Sequence, residues 1–528
     1  MRRLQGRIFR AAATGEHAKA KNLQKLLVRS MAAKLPAIRK VTQENDGKHT
    51  AGIDGVVCDT PESRLPLLKD GLSLKGYRPM PLRRAHIPKP GGKLRPLGIP
   101  TVKDRVMQAI VKMALEPEWE SRFEANSYGF RPGRGCHDAI AAIHTTLNQK
   151  GCSEWVLDAD ISGCFDNISH EALLTRLPVF TTTIRRWLKA GVVEFGKPAP
   201  SEAGTPQGGI ISPLLANVAL DGLERELGCE RPNGKLVSPA FKKGRDKGIS
   251  LIRYADDFVV TAPSREALET YVIPKVEAFL ARRELRLSEA KTRIVHVDEG
   301  FDFLGFEVRR FGGTLLTRPA KAKVIEHLRE IKAYLDAHKQ TPVGRVIKKL
   351  GPVIRGWAHY YRHRAAKETF SKASHRVWST LRAWAKRRHP SKPSKWVRRR
   401  YFMDDGYWTL TDGTAKLYRH NATPITRFVK VIGRSSPMDP ARRDYRVERK
   451  KRHVARETFR KDRLEMLRRQ DNTCGLCGIA FRPGDPIDDH HRMPRQSSGG
   501  DELGNRMLAH RWCHHAHHQR HGYKVAEA

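Results

Sequence analysis

Long apolar stretches are missing from this 528-residue chain, which nowhere approaches the ~18 consecutive apolar residues that a membrane span requires. Its start also lacks the apolar core of a secretion signal, since Met1-Arg2-Arg3-Leu4-Gln5-Gly6 runs directly into polar helical sequence. A soluble, cytoplasmic protein with no membrane partner is expected. Acidic residues are scarce: 56 Asp+Glu stand against 99 Lys+Arg, a net charge of +43. That excess goes far beyond what solubility requires, so a polyanionic partner is expected. Cysteine is too sparse for a disulfide scaffold. Cys58, Cys136, Cys152, Cys164 and Cys229 are scattered singles, expected as small buried hydrophobes, whereas Cys474, Cys477 and Cys513 are grouped like metal ligands. A reducing compartment suits both sets. The length itself exceeds one core and predicts three or four domains.

The most informative stretch is Arg253-Tyr254-Ala255-Asp256-Asp257-Phe258-Val259-Val260. Apolar runs on both sides of two adjacent acids predict a β-hairpin with a charged tip. Asp-Asp alone is ordinary turn chemistry. In an apolar frame it is what divalent-metal phosphoryl transfer needs, because hard oxygen ligands must hold the ions close together. A partner carboxylate is therefore expected elsewhere. Trp155-Val156-Leu157-Asp158-Ala159-Asp160-Ile161 supplies it, with strand composition and a period of two that puts Asp158 and Asp160 on one face. An acid in an apolar strand also needs an ion or a cation beside it.

Other segments surround these. Residues 1 to about 45 alternate basic and apolar positions at helical spacing and break at Asn45-Asp46-Gly47. Two strand-like segments flank Pro90-Gly91-Gly92, so Arg83, Lys89 and Arg95 would ride on a hairpin that either binds phosphate or is a solvated surface. Gly204-Thr205-Pro206-Gln207-Gly208-Gly209 is a glycine-rich turn entering an apolar helix, where backbone can approach a ligand closely. Between Thr341 and Arg400 lie 18 Lys+Arg and one acid, Glu368, interleaved with Trp357, Tyr360, Tyr361, Trp378, Trp384 and Trp396. A one-sign field suits a phosphate-tracking surface, with most of the Trp expected in a helical core and the others stacking on bases. The basic stretch Arg442–Arg469 reads as a flexible nucleic-acid-binding linker or a solvated helix.

At the C-terminal end, Cys474-x2-Cys477 and His510-x2-Cys513 offer four N/S ligands with the spacing of a structural Zn2+ site, the staple that so small a unit needs. His at 510 keeps a competent ligand and makes the site more acid-labile.

The ordered set formed by the Asp160 to Phe165-Asp166 segment, Pro206-Gln207-Gly208, Tyr254-Ala255-Asp256-Asp257, Lys291-Thr292 and Phe301–Phe306 resembles the reverse transcriptase blocks of group II intron-encoded proteins. Arg95–Pro100 and Tyr128-Gly129-Phe130-Arg131-Pro132 fit the same series, and Gly351–Arg362 resembles that family's maturase domain, which separates it from retron and CRISPR-linked relatives of the palm. The resemblance implies a multidomain α+β protein: right-hand fingers and palm, a helical thumb/maturase domain, and a small zinc-stapled ββα-metal HNH domain. It implies Asp160, Asp256 and Asp257 as Mg2+ ligands, Phe165 as the residue that excludes a 2′-OH, Lys89, Arg95 and Arg83 as triphosphate cations, and Gln207 near the nascent pair. The family's usual Asp is Ser169 here, a departure expected to be mild. In the C-terminal module the His…Asn…His set resembles an HNH nuclease, with His491 as general base, Asn505 orienting it, and His490 and His514 holding Mg2+ or Mn2+. A one-residue slip would make Asp489 the ligand and His490 the base, and His515, His517, His518 or His521 could substitute as ligands.

The implied division is 1–75 N-terminal helical extension, 76–318 fingers and palm, 319–400 thumb/maturase, 401–455 basic DNA-binding region and 456–528 HNH domain. The implied function is binding and splicing of intron RNA, nicking of target DNA, and target-primed synthesis from deoxynucleoside triphosphates. Two rivals stand beside it: an RNA-binding splicing cofactor with a vestigial polymerase, and a DNA endonuclease that keeps the palm as scaffold. A zinc knuckle that only binds DNA is the rival for the last module.

Overall fold

The computed structural model describes the chain except residues 70–71, 89–93, 150, 231–247, 405, 458–460, 483–484, 495–498 and 522–528. It is mixed α+β and divides into two compact units: Met1–Phe301 with Arg309–Leu315 and Val431–Arg442, and Asp302–Val308 with Leu316–Lys430 and Arg443–Ala528. Among the described residues no helix is long and apolar enough to cross a membrane.

The first unit is built on the helix Val102–Arg122, whose start is capped by the Thr101 side chain accepting from the Asp104 N–H. Val106, Ile110, Val111, Ala114 and Leu115 on this helix are buried in the main core. The expected N-terminal helices, Arg2–Ala13, His17–Arg29 and Met31–Arg39, join it through buried polar contacts as well as apolar ones. Gln24 Nε2 donates to Glu118 at 2.6 Å and Gln5 Nε2 to the Met113 carbonyl at 3.1 Å. The fingers strands Leu82–Pro88 and Leu94–Ile99 pair antiparallel, and the sheet continues through Val192–Glu194 to Lys197–Ala199.

The palm sheet runs in the order Ser250–Tyr254, Asp257–Ala262, Trp155–Ala159, Arg293–His296, each pair antiparallel. Tyr254 faces Asp257 in register, so Ala255 and Asp256 form the hairpin turn read from the sequence. Segment 431–442, within the region assigned to DNA binding, instead packs in this unit. Asp138 accepts from the Val431 N–H at 2.7 Å and Arg134 donates to the Gly433 carbonyl at 2.7 Å.

The second unit is helical, with Lys321–Ala337, Val343–Tyr361, Lys367–Arg387 and Ser394–Tyr401 closing on a core that includes Ile331, Leu350, Ile354, Leu381 and Trp384. The tryptophans divide: Trp384 is buried, Trp357 stacks on His327 at 4.7 Å, and Trp396 is exposed. Of the two readings of the basic stretch, flexible linker or solvated helix, the structure has the helical one, over Arg443–Glu457 and Lys461–Arg469. Val454 and His453 give the first of these helices a buried face, and His453 and Arg449 both contact the Val429 carbonyl.

One buried pair makes this unit sensitive to acid. His327 and His420 meet Nε2 to Nε2 at 2.8 Å, and burial lowers His327 to about 4 and His420 to about 3, the latter helped by His327. An unfolded chain takes up protons near the ordinary histidine value of about 6.5, whereas the folded pair refuses them until lower pH. The thermal midpoint of this unit should therefore fall as pH drops from about 6.5 toward 4, and His420→Phe should flatten that slope in a calorimetric series.

Candidate active sites

In the palm, the charged tip is set by what lies under it. Ala255 adopts φ +60°, and Gly129 lies so close that a Cβ there would stand 2.3 Å from the Ala255 nitrogen. Chain 126–128 runs alongside: Tyr128 N–H donates to the Arg253 carbonyl and Arg253 N–H to the Asn126 carbonyl, both at 2.9 Å. The Arg253 side chain is fully buried and donates to Asn217 Oδ1 and the Ala255 carbonyl, both at 3.2 Å, while Asn217 Nδ2 donates to the Gly129 carbonyl at 2.8 Å. Glu124, Asp221 and Glu224 share that interior. Burial, then the neighbouring acids, pushes Glu124 up to about 8, and burial pushes Glu224 up to about 7.

Above this base, Asp160 follows the strand Trp155–Ala159 and pairs with Lys291, and Asp158 pairs with Arg293 at 3.0 Å. The cation expected beside a strand acid is thus present for both. Asp257 is hydrogen-bonded to Asp160; partial withdrawal from water, then the charges of Asp256 and Asp160, pushes it up to about 7. Burial also raises Asp256, which Lys291 and Arg95 oppose. The three acids are therefore one electrostatic cluster.

Phe165 presents its edge to Phe130, with ring centroids 6.0 Å apart. Gln207 Nε2 donates to both Asp166 carboxylate oxygens at 3.1 and 3.0 Å, and its carbonyl accepts from the Gly98 N–H at 2.8 Å. Gly204 packs against the carbonyls of Phe165 and Asp166, where a Cβ would meet oxygen at 2.7 and 2.5 Å. Ser169 caps the helix His170–Leu174, so the departure from the family's Asp has a structural use. Arg95 is exposed on its strand. Arg83 gives its guanidinium to the Ala51 carbonyl at 2.8 and 3.1 Å, and Lys89 lies outside the described residues.

In the C-terminal module, Ile487–His491 pairs antiparallel with Arg506–His510 and leads into the helix Arg511–His521, a ββα unit. Ligand atoms of Cys474, Cys477, His510 and Cys513 all lie within 4.8 Å of one another. His510 Nδ1 faces Cys477 Sγ at 3.5 Å, while its Nε2 is 3.3 Å from Asp485 Oδ2. A second such group is His490, His514 and His518. His490 is buried with no hydrogen-bond partner on either ring nitrogen, and burial and the adjacent histidines lower it to about 4. His514 Nδ1 lies 3.4 Å from Asp488 Oδ2 and its Nε2 lies 2.9 Å from His518 Nε2. Strand alternation turns Asp489 and His491 the other way: Asp489 is paired with Arg506, and His491 Nε2 is 2.7 Å from Asp501 Oδ1. Asn505 grips the backbone of Met493, accepting from its N–H at 2.8 Å and donating to its carbonyl at 3.0 Å.

Family models match in the same order along the chain: the N-terminal domain of reverse transcriptase at residues 1–70, reverse transcriptase (RNA-dependent DNA polymerase) at 87–308, the group II intron maturase-specific domain at 324–402, and HNH endonuclease at 474–520. Protein YkfC of Escherichia coli K12 is 33% identical over 346 residues, covering 60% of this chain and 90% of that protein. Group II intron-encoded protein LtrA of Lactococcus lactis is 31% identical over 339 residues, covering 53% of this chain and 55% of LtrA. The chain belongs to the group II intron-encoded proteins. This intron-encoded protein spans about half the length of LtrA and 48% of a 91 kDa protein in a cob intron of Schizosaccharomyces pombe, which is 29% identical to it. Reverse transcriptase and HNH domains generally use divalent metals, and the Cys/His group could bind zinc.

Sequence reasoning for this intron-encoded protein missed Arg253, Glu124 and Asn217, because an Arg next to an acidic turn reads as a surface residue. Arg253 is buried 4.0 Å from Glu124, with Arg176 3.7 Å from Asp221 beside it. Arg253→Leu should cost about 3–5 kcal/mol of stability in denaturant unfolding, as expected when one partner of a buried charge cluster is removed. The loss should grow as pH rises through 8, because without Arg253 the folded state holds Glu124 protonated beyond the pH at which the wild type lets it ionise.

Proposed function

We propose that the protein is an intron reverse transcriptase and maturase that also nicks DNA: it binds group II intron RNA and assists its splicing, cuts a target DNA strand, and extends the resulting 3′-OH on the intron RNA. The observation that carries the polymerase reading is the strand register: Ala159 faces Phe258, so Asp160 at the end of its strand lies beside the hairpin whose tip bears Asp256 and Asp257. Such a cluster is the donor set that Mg2+ takes, all hard oxygen. Bound there, the ions would supply charge neutralisation for the attacking and departing oxygens. Asp160 and Asp256 are the proposed direct ligands, with Asp257 completing the set. Lys291 pairs with Asp160. Arg95, whose charge already acts on Asp256, would hold deoxynucleoside triphosphate, together with Lys89. Phe165 would press on the sugar and exclude a 2′-OH. Gln207, anchored on Asp166 and on the fingers strand, would shape the floor under the nascent pair. Arg83 is spent on a backbone carbonyl and is assigned a structural role.

In the C-terminal module the Cys474, Cys477, His510, Cys513 group is proposed to hold structural Zn2+, with Asp485 orienting His510. The orphaned ring nitrogens of His490 fit a divalent cation shared with His514 and His518, and this all-imidazole set suits a softer ion better than the expected Mg2+ or Mn2+, which would need oxygen ligands from elsewhere. His491 would take the proton from water, with Asp501 fixing its ring, and Asn505 would hold the segment that follows it through the Met493 backbone. The domain division 1–75, 76–318, 319–400, 401–455 and 456–528 is retained as a functional partition. The intact acid cluster favours an active polymerase over a vestigial one.

Primer extension on an RNA template with Mg2+ and deoxynucleotides tests the palm. Asp256→Ala should abolish synthesis with RNA binding retained, and measurable synthesis by that variant would refute the assignment. Gly129→Ala, which drives a methyl into the hairpin backbone, should lower extension at least tenfold without loss of RNA affinity. His491→Ala should lose DNA nicking while extension survives; if both activities fell, the two sites would not be separable as proposed. Zinc chelation should lower the melting temperature of the wild-type protein more than that of Cys474→Ser.

A further inference from the structure

The second unit contains a cavity that none of the sites above uses. It has a volume of about 480 Å³ and lies between the helix Lys367–Arg387 and the segment 407–421. That volume falls in the range of small-molecule sites, about 300–1,000 Å³. Among the described lining residues none is acidic, and Lys367 and Arg419 contribute cations. Tyr407, 60% exposed, offers a ring face at the edge of the cavity, with the Arg419 guanidinium 4.1 Å from its centroid. Trp378 is the second aromatic wall. Its indole Nε1 is buried and has no hydrogen-bond partner, and neither has the buried Asn421 Oδ1.

Trp378 and Asn421 both line this aromatic, positively charged pocket, and each carries a buried donor or acceptor without a partner. The Asn421 backbone is already committed, its N–H to Ser374 Oγ at 3.0 Å and its carbonyl to Lys367 Nζ at 3.1 Å, so the amide is held in position. Trp408, on the same wall, adopts φ +53°, a conformation that bulky residues avoid and that recurs at ligand sites. An inorganic anion would use the cations and leave the rings idle. An apolar side chain would leave Trp378 Nε1 and Asn421 Oδ1 as unsatisfied as they already are and gain nothing from them. A nucleobase satisfies all three features: a π face for stacking, an edge that both accepts and donates, and a phosphate for Lys367 and Arg419.

We propose that this cavity receives one unpaired nucleobase of single-stranded RNA, stacked on Tyr407 and read by Trp378 and Asn421. The assignment rests on the RNA-binding reading of this unit and gives it a specific contact. Affinity of the full-length protein for a short oligoadenylate RNA, and for an RNA hairpin without unpaired bases, would be measured by fluorescence anisotropy. Tyr407→Ala and Asn421→Leu should each weaken oligoadenylate binding about tenfold, in line with base stacking on aromatic side chains, and leave hairpin binding within twofold. Trp378→Phe, which keeps the ring and removes the donor, should give a smaller loss in the same direction. Wild-type affinity in all three variants for the single strand would overturn the proposal while leaving RNA binding intact. A defect seen with oligodeoxyadenylate but not with the RNA would overturn the assignment to RNA. Absence of RNA binding by the wild-type protein would overturn the underlying reading instead.

Discussion

Beneath the acidic hairpin, one guanidinium is surrounded by carboxyl groups that cannot all be charged. Arg253 is fully buried, Glu124, Asp221 and Glu224 stand around it, and burial raises all three acids. The guanidinium also donates to the Ala255 carbonyl, so it connects this interior network to the turn that carries Asp256. Asn217 extends the link by binding both Arg253 and the carbonyl of Gly129. A buried charge is tolerable only when paired and hydrogen-bonded. The turn is therefore held from below by groups that cannot move independently.

The motif loops meet through backbone. Gly129 lies against the Ala255 nitrogen, and Gly204 lies against the carbonyls of Phe165 and Asp166, at distances that no side chain would allow. Arg131 of the Tyr128–Pro132 block is likewise internal, held bidentately by Glu120 at 2.8 and 3.1 Å. Many of the motif residues are thus there to bring strands and turns into contact, and only a few carry charge to the palm surface.

The ββα module solves a different problem with little core of its own. Its buried cluster includes Leu508, Ala509, Phe481 and Met466, and the Cys/His group sits among them. In both histidine-containing groups one ring nitrogen faces the cluster and the other faces a carboxylate, Asp485 for His510 and Asp488 for His514. That pairing fixes the orientation of the ring. The large excess of cations finds its use elsewhere: through 341–400 it coats helices whose interior is apolar and aromatic.

The hairpin, its partner strand and the cysteine spacing were legible in the sequence, because strand period and ligand spacing are local properties written over a few residues, whereas the ββα order was implied by the resemblance to HNH nucleases. Alternation alone separates His490 from His491, and the structure keeps them on opposite faces. What only the tertiary structure decided was the partner of each charged group. Arg83, expected as a triphosphate cation, gives its guanidinium to the Ala51 carbonyl, and Arg131 of the Tyr128–Pro132 block pairs with Glu120. Residues 443–457 have the composition of a linker and fold as a helix, because Val454 and His453 find a surface to bury against. His518 joins His490 and His514, and residues 431–442 return to the first unit. Each of these outcomes depends on burial by residues far away in the chain, and burial decides whether a charge is solvated, paired or left to bind a ligand.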